Sequence, residues 1–199
     1  MDQNESHWQQ ETRLPTWFRS VLGDCICETE GQKVKKKRAK QRSYWNNYDD
    51  WKILVDTRQK QYQIPSSIAS TSLRPDICVY SEKGKKVSFI ELTSPAEENI
   101  NIWKLKKRTK YLDLVEEAKA NGYTACSRTI EVGARGFVSK SSLGIFYMFG
   151  YNRYKSDSIR RELSKIAIRC SHFIWINREN KLWSNPNRVC WTLCSRYPI

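Results

Sequence analysis

The sequence predicts an α/β fold, a mixed sheet flanked by helices with a helical C-terminal extension. Three observations carry that prediction. First, two short runs rich in β-branched and aromatic residues (Ile77, Val79; Val87, Phe89, Ile90) flank a polar Glu82-Lys83-Gly84-Lys85 turn, the pattern of a hairpin. Second, a long stretch with apolar residues at three-to-four spacing follows, from Ser94 to Ala120. Third, 123–132 alternates as a further strand, and the chain then turns helical over 141–149 and 156–175. Strands and helices in that order place helices against a mixed sheet.

Length and charge narrow the class. A chain of 199 residues suits one domain with appendages. Lys and Arg outnumber Asp and Glu by 35 to 21, for a net charge of +14 and a pI near 9.5, the balance of a protein that meets a polyanion. Nucleic acid, most simply DNA, is the expected partner. Eight tryptophans and ten tyrosines exclude a disordered tail protein. The seven cysteines are odd in number, and no segment reads as a signal peptide or membrane span, so an intracellular, reduced protein with no membrane partner is expected. Cys25-x-Cys27 and Cys190-x3-Cys194 fit zinc knuckles poorly, and small buried thiols are the default reading.

Taken in order, residues 1–43 form a polar and basic arm with one short helix expected over 14–23. Its run QKVKKKRAKQR, 32–42, holds seven cations and no acid, which suits phosphate contact, nuclear import or a solvated tail. The core is expected over 44–140. It opens with a strand within 44–57 that ends near Asp56; Trp45 and Tyr48 could stack on bases, and Trp51 reads as core. A loop over 63–73 delivers the chain to Arg74-Pro75, where Pro75 keeps Arg74 extended and starts a strand without a ladder donor. Ser94 as N-cap and Pro95 at the first helical position predict a helix running to Ala120, closed by Asn121-Gly122. Its apolar face is expected to be Ile102, Leu105, Thr109, Leu112 and Val115, with Lys104, Lys106, Lys107, Arg108 and Lys110 presented elsewhere. Gly133 and Gly136 predict a turn needing positive φ or close backbone approach. Residues 141–178 extend the core as helices, with His172 a surface residue, and 179–199 read as an irregular tail.

The chemistry concentrates at two acids. Asp76 opens the first hairpin strand and Glu91 lies near the end of the second, so antiparallel pairing brings them to one end of the ribbon. Two carboxylates there can share a divalent metal. Taken singly, each is also an ordinary surface acid.

Arg74-Pro75-Asp76 followed by Ile90-Glu91-Leu92-Thr93 resembles the PD-(D/E)xK motif of the restriction-endonuclease-like superfamily. The blocks DWKILVDT, IPSSIASTSLRPDI, FIELTSPAEE, KKRTKYLDL and IEVGARGF are in turn similar to a nuclease-like domain of retroelement-associated animal proteins, where it lies downstream of a reverse transcriptase. The similarity covers 49–137 well and 141–183 more loosely. It implies a restriction-endonuclease-like core and endonucleolytic hydrolysis of DNA phosphodiesters with Mg²⁺ (or Mn²⁺). Asp76 and Glu91 are the implied metal ligands, the Leu92 carbonyl a third, and a lysine orients the attacking water.

Thr93 stands where that lysine is expected. Two answers remain open. A lysine arrives from the following helix, with Lys104, Lys107 and Lys110 as candidates; at 1.5 Å per residue these lie more than about 10 Å from the helix start, which favours contact with backbone phosphates or solvent for them. Alternatively the metal alone activates water, and Thr93, Glu97 or Asp56 completes the site. Arg74 and Arg135 are further phosphate contacts, with surface ion pairs the plain alternative. The competing function is a catalytically inactive nucleic-acid-binding module that kept the fold, and a weaker one is a protein-interaction module.

Overall fold

A computed structural model describes residues 48–56 and 61–178. The basic arm over 1–43, Trp45, the Cys25/Cys27 and Cys190/Cys194 pairs and the tail over 179–199 lie outside the described residues.

Four strands form one sheet in the order β1 (Lys52–Val55), β2 (Ile77–Ser81), β3 (Lys86–Thr93) and β4 (Thr124–Glu131). The first two pairings are antiparallel and the last is parallel, so the sheet is mixed. A parallel neighbour needs a crossover. Two helices supply it between β3 and β4, α1 (Ile100–Lys110) and α2 (Leu112–Ala120). After β4 come α3 (Lys140–Met148) and the long α4 (Arg153–Asn177).

Alternation along the strands divides the core into two layers, because successive side chains leave opposite faces. Ile77, Val79, Ile90, Leu92 and Ile130 point to one face and pack with Ile145, Phe146 and Phe149 of the α3 region and Ile159, Leu163 and Ile166 of α4. Trp51 packs against this layer, as the sequence predicts. On the other face Cys78, Tyr80, Val87 and Phe89 meet Leu114, Val115 and Ala118 of α2, Tyr111 at the helix junction, and Tyr62, Ile64 and Ile68 of the 61–73 loop. Burial pushes the Cys78 thiol well above its usual range, which leaves it an unreactive core residue.

The hairpin forms where expected, with Lys85 at φ 46° closing the turn. Two expectations for the following helix fail. The helix does not start at Pro95, because the Pro95 carbonyl accepts from Ala134 N–H (2.9 Å) and Ala96 stays extended (φ −59°, ψ 145°). One 3-10 turn, Glu97–Asn99, intervenes before α1. Nor is it one helix, since Tyr111 (φ −106°, ψ 11°) breaks it.

The expected apolar face is also rotated. Ile102, Leu105 and Leu112 are exposed, Leu105 at 67 %, whereas Lys107 is buried and Tyr111 fully so. The sheet face beneath α1 carries Glu91 and Glu131, both buried, and a cation that meets a buried carboxylate offsets a desolvation cost that an apolar side chain would leave standing. The charge of the sheet, not the periodicity of the helix, sets which side faces in.

The glycine expectation holds at both ends of its turn. Gly136 adopts φ +90°, and Gly133 lies so close to the Glu97 side chain that a Cβ would collide with it.

Candidate metal and nucleic-acid site

The register of the sheet aligns the acids. Ile77 pairs with Ile90 and Val55 with Ile77, so the same registers carried one residue further set Asp56 opposite Asp76 and Asp76 opposite Glu91. The Asp56 N–H donates to the Asp76 carbonyl at 2.9 Å, which continues the β1–β2 ladder. Asp56, Asp76 and Glu91 therefore form one transverse row across three strands.

Pro75 shapes the next position. The register puts Leu92 opposite Pro75, which has no N–H to give the Leu92 carbonyl. Freed from the ladder, the Leu92 N–H donates instead to Asp76 Oδ2 at 2.7 Å, and the Pro75 carbonyl accepts from the Tyr62 hydroxyl at 2.6 Å. Burial pushes the Tyr62 phenol far above its ordinary range, so it stays protonated and able to donate.

Glu91 is held by three donors. Oε1 accepts from the Lys107 ammonium at 3.0 Å; Oε2 accepts from the Tyr111 hydroxyl at 2.8 Å and from the Asp76 N–H at 3.3 Å. Asp76, Glu91 and Lys107 are all buried. The axial distance along α1 does not measure the distance to Glu91, because the helix returns across the sheet and Lys107 comes back over the end of β3. The expectation that Lys104, Lys107 and Lys110 all lie far from the acids is corrected for Lys107. Tyr111 is a residue that sequence reasoning passed over; its only signal is a large polar aromatic at the foot of a basic helix.

One helical turn before Lys107, Lys104 Nζ lies 3.9 Å from Glu131 Oε1. Glu131 is fully buried and its carboxylate accepts from the hydroxyls of Thr129 and Ser139, from Ser141 at 2.8 Å and from Ser142 at 3.4 Å. Ser139 caps α3, so this acid ties the end of β4 to the start of that helix. Thr93 pairs across the ladder with Glu131 and is itself buried.

The remaining candidates separate by their partners. Glu97 stands away from the acid row and grips the 133–136 loop: Oε1 accepts from Arg135 N–H at 2.7 Å and Oε2 from Arg135 Nε at 2.8 Å. Partial burial works to raise the Glu97 carboxyl, and the Arg135 hydrogen bonds outweigh it, so the net direction is down. Arg135 takes up the surface ion pair that is its plain alternative, bound to Glu97 and 3.8 Å from Glu98, and both carboxylate oxygens of Glu97 accept from it. Lys110 is exposed beside the Tyr111 ring, 5.0 Å from its centroid. Among the described residues, Arg74 has no carboxylate partner for its guanidinium.

The donors present fit a hard divalent cation in part. Among the described residues no three His, Cys, Asp or Glu side chains converge as a ready cage. Two adjacent carboxylates and the Leu92 carbonyl make an oxygen set that suits Mg²⁺, which keeps several waters and needs few protein ligands. No described helix is long and apolar enough to cross a membrane. The chain matches no protein-family model, and no curated protein matches it.

Proposed function

We propose that this chain is a metal-dependent endonuclease of the PD-(D/E)xK type acting on DNA, with its motif lysine supplied by Lys107 from α1 rather than by residue 93. The observation that carries the reading is the grouping of Asp76, Glu91 and Lys107: two carboxylates opposite one another on neighbouring strands, with an ammonium 3.0 Å from the second. That set matches in residue type what the sequence motif lacks at Thr93. The order of strands and the crossover by helices between β3 and β4 suit a restriction-endonuclease-like core. The retroelement origin rests on the sequence blocks and belongs to the same proposal.

In this reading Asp76, Glu91 and the Leu92 carbonyl would hold Mg²⁺ or Mn²⁺, which would supply acidification of water and neutralisation of charge on the scissile phosphate. Lys107 holds the attacking water by hydrogen bonding and adds positive charge. Tyr111 and the Asp76 N–H fix the orientation of Glu91. Arg74, two residues before Asp76, contacts the DNA backbone.

One observation favours the second reading, a nucleic-acid-binding module without cleavage: Lys107, Tyr111 and the Asp76 N–H already satisfy both oxygens of Glu91. Supercoiled plasmid incubated with the protein and Mg²⁺ or Mn²⁺ separates the two. The nuclease reading predicts nicking by the wild type that Asp76→Asn and Glu91→Gln each abolish, with DNA affinity kept. Salt-sensitive binding without nicking supports the module instead.

A further inference from the structure

A cleft of about 580 Å³ opens where the 61–74 segment leads into β2, lined among the described residues by Gln61, Tyr62, Gln63, Thr71, Ser72 and Arg74. Its position follows from the loop. Tyr62 is buried and anchored to the Pro75 carbonyl, so its neighbours Gln61 and Gln63, both exposed, flank the opening. Thr71 turns the chain back by accepting from the Leu73 N–H at 3.0 Å, which brings Ser72 and Arg74 to the opposite wall. The lining mixes polar and apolar surface, and among the described residues it carries one charge, that of Arg74.

Two features distinguish this cleft from an ordinary surface dent. Arg135, Lys104 and Lys107 are each paired with a carboxylate, whereas Arg74 has none among the described residues. Its guanidinium is therefore available to an outside anion, and along the chain it stands two residues before Asp76. Beside it stand two amides and two hydroxyls, each able both to donate and to accept, which is the equipment that reads the edge of a base.

We propose that the cleft receives one unpaired nucleotide of a DNA strand, its phosphate on Arg74 and its base edge on Gln61 and Gln63. Resting on the nuclease reading, this makes the substrate single-stranded or locally opened DNA at the site. Base contacts there set a nucleotide preference, and the phosphate contact sets affinity for every sequence alike.

The test uses the full chain in EDTA, so that binding is read without cleavage. Fluorescently labelled DNA decamers of dA, dC and dT are titrated by anisotropy, and a decamer bearing 4-thiothymine is photocrosslinked and mapped by mass spectrometry. Arg74→Gln is expected to weaken all three decamers by about tenfold. The pair Gln61→Ala/Gln63→Ala is expected to level the differences between them. Crosslinks are expected within 61–74. Wild-type affinity in Arg74→Gln, or crosslinks confined elsewhere, overturns the cleft and leaves the metal-site reading standing. A wild type that binds no DNA, single- or double-stranded, overturns both. All three substituted residues are exposed, so the variants keep the fold.

Discussion

The Lys107 ammonium donates to Glu91 Oε1 at 3.0 Å, sixteen residues along the chain and from the helix laid over the Glu91 face of the sheet, with both side chains less than a tenth exposed. A buried pair of this kind owes its stability to mutual compensation, because either charge left alone keeps its full desolvation cost. Lys107→Met is therefore expected to destabilise the protein by about 3 kcal/mol. Adding Glu91→Gln should recover a large part of that loss. Urea denaturation of the two single variants and the double variant checks this; strictly additive losses would show that the pair is not coupled.

Tyr111→Phe keeps the ring in the core and removes only the hydroxyl that donates to Glu91 Oε2. Loss of a buried hydrogen bond to a charged acceptor is expected to cost about 1.5–3 kcal/mol in urea denaturation. A variant as stable as the wild type would place the hydroxyl's partner elsewhere.

Gly136 and Gly144 should respond with opposite signs to the same substitution. Gly136 adopts φ +90°, and an added Cβ would meet Ser164 and Ile168, so Gly136→Ala is expected to cost about 1–3 kcal/mol. Gly144 lies inside α3 with open space around it, and Gly144→Ala is expected to gain about 0.5–1 kcal/mol from helix propensity. Thermal unfolding followed by circular dichroism reads both.

The Glu97–Arg135 contact predicts an acid-side effect. The folded Glu97 carboxyl titrates below its ordinary range, so its contribution to stability is present above the unfolded value and is lost as pH falls through the folded one. Glu97→Gln should therefore flatten the fall in urea midpoint on the acid side of neutrality. The effect is small, since Arg135 is 79 % exposed and solvent screens the pair. An unchanged acid-side slope would mean that the contact carries no linkage.

Particular residues show where the sequence was legible. The hairpin, Asp76 opposite Glu91, β4 and the glycine turn all follow from local pattern: β-branched alternation, a polar turn, and a positive φ that only glycine takes easily. The Leu92–Pro75 relation is readable too, once the register is set. What failed was the face of α1 and the start of α2, where Ile102, Leu105 and Leu112 satisfy helical periodicity and nevertheless point outward. Periodicity weighs only the transfer of apolar groups. It omits the cost of leaving Glu91 and Glu131 buried without cations, a cost fixed by residues distant in sequence. Glu131 escaped notice for the same reason, because its hydroxyl partners on 139–142 gather only once β4 meets α3. Lys107 is one of three candidate lysines on the helix, and sequence alone does not single it out, because its meeting with Glu91 is set by how α1 crosses the sheet.

Plasmid nicking by the wild type and by Lys107→Gln, at protein concentrations that give equal DNA occupancy and with folding matched by circular dichroism, tests the central claim most directly. In Mg²⁺ or Mn²⁺ the wild type should convert supercoiled plasmid to the open circle, and Lys107→Gln should bind the same DNA with nicking reduced by at least about a hundredfold, the lower range for a positioned proton-transfer or hydrogen-bonding group. Equal nicking by the two proteins, or none by the wild type in either metal, would contradict it.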